Sequence, residues 1–237
     1  MQFKSQLVST AKRSDRLAFA YEIKMQKHGL TALRYRPSFF LHSYMSQIQL
    51  LEKFITHVYP LTEEELEKFL SIWEPLTVKR KTIISRAGET ERNLYFVTEG
   101  IQRVYYHDEQ EREATIVFTY APSFSGVADS FLTQTPSRFF AETLTPSSFL
   151  KTSFQQLDSL MKQYHNIERM IRILSNAAFA GVLERMIEIQ CFTAEEKFKT
   201  LLKRSPHLLT LIPHKYIANY LGIDATNFSK LLAKIRI

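Results

Sequence analysis

The chain has 237 residues, 45% of them apolar and 13% aromatic, which is enough to bury one large core or two modest ones and excludes general disorder. No stretch approaches the roughly 18 consecutive apolar residues of a membrane-spanning helix. A single cysteine, Cys191, excludes an intramolecular disulfide and zinc or iron–sulfur centres built from several thiolates, and suits a reducing cytoplasm.

The formal charge of +7 is unevenly spread. Residues 1–44 hold 8 basic and 2 acidic side chains, residues 45–192 hold 15 and 19, and residues 193–237 hold 8 and 3. An acidic middle between a basic head and a basic tail reads as separate parts. In the head, Lys12, Arg13 and Arg16 fall where a secretory signal needs an unbroken apolar stretch. Residues 1–44 are therefore an extension, either poorly ordered or lying ahead of a natural start at Met45.

From Met45 to about residue 75, Leu50, Leu51, Phe54 and Val58, then Leu66, Phe69 and Leu70, recur at helical spacing, and Pro60 separates two short helices. Thr62 and Glu65 form a capping box at the start of the second. The period then shortens to two in LTVKRKTIISRAGE, NLYFVTEG, IQRVYYHD, ATIVFTYAPSF, SRFFAETL and SSFLKTSF, with turn residues every 8–15 positions. That pattern predicts a jelly-roll or other antiparallel β-barrel or sandwich, which with its helical lead spans residues 45–163 of an α+β chain. Past Phe154 helix returns. Ile167, Met170, Ile171, Leu174, Ala178, Gly181 and Val182 predict one long helix within residues 164–192, about 40 Å in length. Ala177, Ala178 and Gly181 would let two such helices approach closely in a homodimer. Thr193 and Glu196 form a second capping box and open the last segment, residues 193–237.

The most specific pattern is HKYIANYLGIDATNFSKLLAKI. A helix-turn-helix needs a small residue where its two helices cross, a glycine in the turn and apolar residues facing inward from both helices. Ala218 and Gly222 fill the first two needs, and Ile217, Leu221, Ile223, Phe228 and Leu231 the third. Asp224 caps the second helix. If that helix enters a major groove of double-stranded DNA, Ala225, Thr226, Asn227, Ser229 and Lys230 face it. Asn227 suits adenine, Thr226 the thymine methyl, and Ser229 and Lys230 guanine or phosphate. Lys215, Tyr216 and Lys234 suit backbone phosphates.

A helical lead, a roll containing AGE and LYFVTEG, a long helix and a C-terminal helix-turn-helix together resemble the Crp–Fnr family of bacterial transcription regulators. The segment TAEEKFKTLLKRSPHLLTLIPHKYIANYLGI looks especially like members from the Bacteroidetes. The resemblance spans residues 45–237 and implies a cyclic-nucleotide-binding-like sensor roll, dimerisation through the long helix, and a DNA-binding domain whose orientation the sensor controls. In relatives that bind a cyclic nucleotide, a Gly-Glu pair meets the ribose, an Arg-Ser pair the cyclic phosphate and a Thr-Ser pair the adenine. Here the matching positions are Gly126 with Val127, Pro136 with Ser137, and Met170 with Ile171. Loss of the arginine leaves a buried phosphate unpaired, at a cost of about 3–5 kcal/mol. Arg138, two residues on, either replaces it or is an exposed strand charge. The resemblance thus implies a pocket kept as architecture, disfavouring cyclic nucleotides and either empty or selective for a more apolar small-molecule effector.

No cofactor or metal is assigned, because the seven histidines show no ligand spacing and only His107 falls within the strands. Nor does any nucleophile–base spacing point to an enzyme. A second reading, a small-molecule sensor whose C-terminal helices contact protein, is weighed down by the polar, basic outer face of the last helix.

Overall fold

A computed structural model describes residues 37–234; the basic head up to residue 36 lies outside the described residues. Helix α1 (Pro37–Val58) starts with proline at its first position, where a missing N–H costs nothing. The helix begins ahead of Met45, crossing the expected boundary at residue 44. Tyr44 is already buried in the core, and its hydroxyl donates to the Trp73 carbonyl oxygen at 3.2 Å. Pro60 lies between α1 and α2 (Glu63–Ser71), whose capping box is present as expected: Thr62 Oγ1 accepts from the Glu65 N–H, and the Glu65 carboxylate accepts from the Thr62 N–H at 2.8 Å.

Eight strands follow: β1 (Glu74–Val78), β2 (Ile83–Ser85), β3 (Asn93–Glu99), β4 (Ile101–His107), β5 (Glu113–Tyr120), β6 (Ser123–Ser125), β7 (Phe140–Thr143) and β8 (Ser147–Ser153). They form two four-stranded antiparallel sheets, ordered β1-β8-β3-β6 and β2-β7-β4-β5. This is a jelly-roll β-roll, as the period-two segments predict. A short helix, α3 (Ala128–Thr133), interrupts it between β6 and β7, a turn of chain that apolar periodicity does not mark. Gly100, between β3 and β4, has φ +89°, and a Cβ there would lie 2.4 Å from the Pro146 carbonyl oxygen. The roll closes only because that residue has no side chain.

Beyond the roll come α4 (Phe154–Gln163), capped by Ser153, and α5 (His165–Cys191). The lead and these helices pack on one side of the roll. Ile48, Leu51, Phe69, Trp73, Leu157, Ile167 and Met170 join Phe96 and Leu150 from the strands in one buried core. Phe124 stacks among Phe54, Trp73 and Phe96 at ring distances of 5.4–5.9 Å.

The chain ends in α6 (Ala194–Arg204), α7 (Leu208–Leu211), α8 (His214–Leu221) and α9 (Ala225–Lys234). The Thr193–Glu196 capping box opens α6 as expected. Phe198, Leu201, Ile217, Ala218, Leu221 and Phe228 form the core of this unit, and Ile101, Phe118 and Leu144 from the roll belong to the same cluster. Helix α8 stops at Gly222, whose left-handed φ of +66° releases its N–H to the Ala218 and Asn219 carbonyls. Asp224 caps α9, accepting from the Asn227 N–H at 2.9 Å. No described helix is long and apolar enough to cross a membrane.

Candidate nucleic-acid interface and roll interior

On α9 the inward residue Phe228 is buried edge-on against Phe198 at 5.4 Å. Ala225, Thr226, Asn227, Ser229 and Lys230 are all exposed, so one continuous polar face looks outward. The exposed positions expected from the sequence thus share one side of one helix. Their side chains are partly engaged: Asn227 donates to the Asp224 carboxylate, and Ser229 Oγ donates to the Ala225 carbonyl at 2.9 Å. Lys234 leaves this face for Glu195 at the start of α6, 2.8 Å away. Hydrogen bonds from Lys199 and Lys234 hold the Glu195 carboxyl down at about 2. Lys215 is exposed on α8. Tyr216 is half-buried, with the Arg103 guanidinium 4.0 Å from its ring centre.

The expected effector positions fall in three environments. Gly126 (φ +107°) and the buried Val127 line the roll interior beside Tyr95 and Glu91. Ser137 is also buried, but its hydroxyl is used locally, donating to the Phe139 carbonyl and accepting from the Phe139 N–H at 2.8 Å each. Arg138 is exposed, its guanidinium 6.0 Å from the Tyr106 ring centre. Met170 and Ile171 lie among the helices, in the core shared with α1, because α1 covers that face of α5.

Small apolar groups from this chain line the roll interior. Tyr95 meets Phe149 at 5.7 Å, and Val104, Val127 and Ala141 form a second apolar group. A polar chain runs from Ser147 to Gln102 (2.9 Å), to Thr119 (3.1 Å) and on to Ser125 (2.8 Å). Glu91 is the residue that sequence reasoning missed here. It is buried, accepts from Ser85 Oγ and the Asn93 N–H, and lies beside Gly126. Burial pushes its carboxyl above the usual range despite those bonds. Its position among the charges of RAGETER gave no periodic sign of burial. Two open clefts lie outside the roll, one of about 590 Å³ between α1 and the β3 and β8 strands, the other of about 560 Å³ at the β4–β5 hairpin. Among the described residues no three His, Cys, Asp or Glu side chains group to hold a metal ion.

The outer face of the roll meets the C-terminal unit in a second polar cluster. Arg103, buried in β4, donates to Glu142 (2.6 Å), Glu113 (2.7 Å) and Thr115 (3.2 Å), with the rings of Tyr105 and Tyr216 each 4.0 Å from its guanidinium. Asn219 of α8 binds the backbone of β5 directly. Tyr220 packs on Phe118 at 5.1 Å, and the Tyr120 hydroxyl hydrogen-bonds Ser205 Oγ.

Residues 75–164, less than half of the chain, match the cyclic nucleotide-binding domain. No curated protein matches the whole sequence closely enough to count as a relative. Among solved structures, FixK2 from Bradyrhizobium japonicum superposes with a TM-score of 0.62 at 17% identity, covering 69% of this chain and 84% of that one. A protein described as a transcriptional regulator of the Crp/Fnr family from Eubacterium rectale gives 0.60 at 17% identity over 75% and 87%. The c-di-GMP responsive global regulator CLP from Xanthomonas campestris gives 0.55 at 15% identity over 73% and 91%. The chain therefore carries a cyclic-nucleotide-binding-type roll, and its overall fold is similar to that of Crp/Fnr-type regulators.

Proposed function

We propose that this chain is a dimeric DNA-binding transcription regulator of the Crp/Fnr type, whose roll no longer serves as a cyclic AMP pocket. The observation that carries the reading is α9. Its apolar side is buried on α6, while Ala225, Thr226, Asn227, Ser229 and Lys230 make an exposed polar and basic face, the form a helix-turn-helix presents to a major groove. Lys215, exposed on α8, suits a phosphate, and Lys234 would do so on leaving Glu195.

Dimerisation rests on α5. Its first turns are buried in the core, but Phe179, Val182, Leu183, Met186 and Ile187 are exposed, Phe179 at 63%. An apolar row on a helix of 27 residues is what a second copy of the same helix would cover. Gly181 adds a flat spot there, since nothing lies within 4 Å of a Cβ built on it. The expected small-residue stripe with Ala177 and Ala178 is exposed on the same helix.

The degenerate-pocket part of the reading is supported by the side chains that line the roll interior. Tyr95 and Glu91 lie beside Gly126, Tyr95 packs on Phe149, Val127 is buried with Val104 and Ala141, and Arg138 is exposed. A cyclic phosphate at Pro136 and Ser137 would lack the guanidinium that neutralises it. A mobility-shift titration with DNA from the gene's own upstream region tests the whole reading. Specific retardation that weakens in Lys230→Ala and at higher salt supports it; absence of retardation by any upstream segment, with or without cell extract, overturns it.

A further inference from the structure

We propose that the cleft between α1 and the outer face of the roll binds a free α-amino acid with a polar, uncharged side chain. The site stands apart from the DNA-binding reading and uses none of its residues. The cleft has a volume of about 590 Å³, within the range of small-molecule sites. One wall comes from α1, where Ser43, Gln47, Leu50 and Lys53 stand three or four residues apart and so share one side of the helix, with Ser46 beside them. The core residues Tyr44, Ile48, Leu51 and Ile55 take the adjacent side and hold α1 on the roll. The other wall is a β-bulge. Val97 pairs with Phe149 and Glu99 with Ser148, so Thr98 is an extra residue, and its hydroxyl donates to the Ser148 carbonyl at 3.0 Å. A bulge bends its strand and re-aims the side chains beside it, and both Thr98 and Glu99 line the cleft.

Three features define the ligand. The Oε1 atom of Gln47 is buried and accepts no hydrogen bond, and a desolvated acceptor calls for a donor. Lys53 and Glu99 line the same cleft and are exposed, and among the described residues neither is in an ion pair. A simple anion entering the cleft meets the Glu99 carboxylate, and a simple cation meets the Lys53 ammonium; a zwitterion finds an opposite charge at each end. The ammonium of an amino acid has three donors, enough for Glu99 and for Gln47 Oε1, and its carboxylate accepts from Lys53 Nζ. Finally, the hydroxyls of Ser43, Ser46 and Ser148 line the remaining space, and Leu50 is the one apolar side chain among the described lining residues. Such a lining matches a ligand side chain that hydrogen-bonds without carrying charge.

Calorimetric titration of the full chain with L-glutamine is expected to give saturable heat. Lys53→Met and Glu99→Gln each remove one charged partner from an exposed position, where substitution leaves the fold intact, and each is expected to weaken binding about tenfold. Gln47→Met keeps the length of the side chain and removes the buried acceptor. It is expected to weaken binding by about the same factor without lowering the thermal midpoint, which a purely structural glutamine would lower. Butylamine and butyrate, with one charge each, are expected to give no saturable heat, and L-leucine to bind about tenfold more weakly than L-glutamine. Absence of saturable heat from L-glutamine, L-asparagine and L-serine overturns the site. Binding that none of the three substitutions weakens overturns it too, since the amino acid then sits elsewhere. Butylamine or butyrate binding as tightly as L-glutamine overturns recognition of a zwitterion, and L-leucine binding as tightly overturns the polar side chain.

Discussion

The guanidinium of Arg185 lies 4.0 Å from the centre of the Tyr220 ring and donates to the Tyr220 carbonyl oxygen, so the long helix α5 grips the end of α8. Glu188, one turn on, accepts from Arg185 at 2.6 Å and from Arg204 at 3.0 Å. Three helices, α5, α6 and α8, are tied by one carboxylate and two guanidinium groups.

That cluster sets a stability prediction. Arg185 and Glu188 are both buried, and removing one member of a buried pair leaves the other uncompensated. Glu188→Ala is expected to destabilise the C-terminal unit by about 3 kcal/mol, read as an earlier denaturant midpoint. Lys162→Ala, which loses only an exposed pair with Asp158, is expected to change the same midpoint by less than about 1 kcal/mol.

The same carboxylate sets a pH prediction. Burial alone raises the Glu188 pKa, but the bonds from Arg185 and Arg204 outweigh it, and the folded value lies below the usual one. A lowered folded pKa contributes stability that is present above the unfolded value and is lost as pH falls through the folded one. Stability of the α5–α8 contact is expected to hold at neutral pH and to fall below about pH 4. In Glu188→Gln this part of the acid loss disappears, which a pH series of thermal melts would show.

Glycine substitutions separate steric need from backbone need. Gly100→Ala places a Cβ 2.4 Å from the Pro146 carbonyl oxygen at φ +89°, whereas Gly88→Ala at φ +86° meets nothing within 4 Å. The first is expected to cost about 3 kcal/mol or more and the second about 1 kcal/mol. Thermal melts of the two variants check the difference.

The proposed loss of the cyclic-nucleotide site predicts no ligand heat. Calorimetric titration of the full chain with cyclic AMP and cyclic GMP is expected to show no micromolar binding, because Val127 and Pro136 stand at the ribose-carboxylate and phosphate-arginine positions and Arg138 is exposed.

The apolar row on α5 predicts a dimer that one charge disrupts. Val182→Glu puts a carboxylate in the middle of the exposed apolar face and is expected to convert a dimer into a folded monomer by sedimentation velocity.

Local signals in the sequence carried through well. The capping boxes at Thr62 and Thr193, the Asp224 cap and the Gly222 stop need only neighbours three or four residues away. The strands announced themselves by period two, since each has one side in the roll interior. Contacts between distant segments stayed hidden. Nothing in the alternation of IQRVYYH marks Arg103 as buried, because its partners Glu142 and Tyr216 come from β7 and α8. Asn219 read as an ordinary polar helix residue until its strand, 104 positions earlier, came beside it. Met170 and Ile171, matched to the pocket by counting along α5, are buried in a core with Ile48, Leu51 and Ile55 of α1, a contact between distant segments that periodicity does not show.

The most direct test of the central claim is a hydroxyl-radical footprint of the full chain on DNA from its own upstream region. Two α9 helices carried by a two-fold dimer predict two protected half-sites about 10 base pairs apart, centre to centre, on one face of the duplex, lost together in Val182→Glu. A single protected patch that Val182→Glu leaves unchanged, or no protection at all, would contradict a dimeric DNA-reading protein.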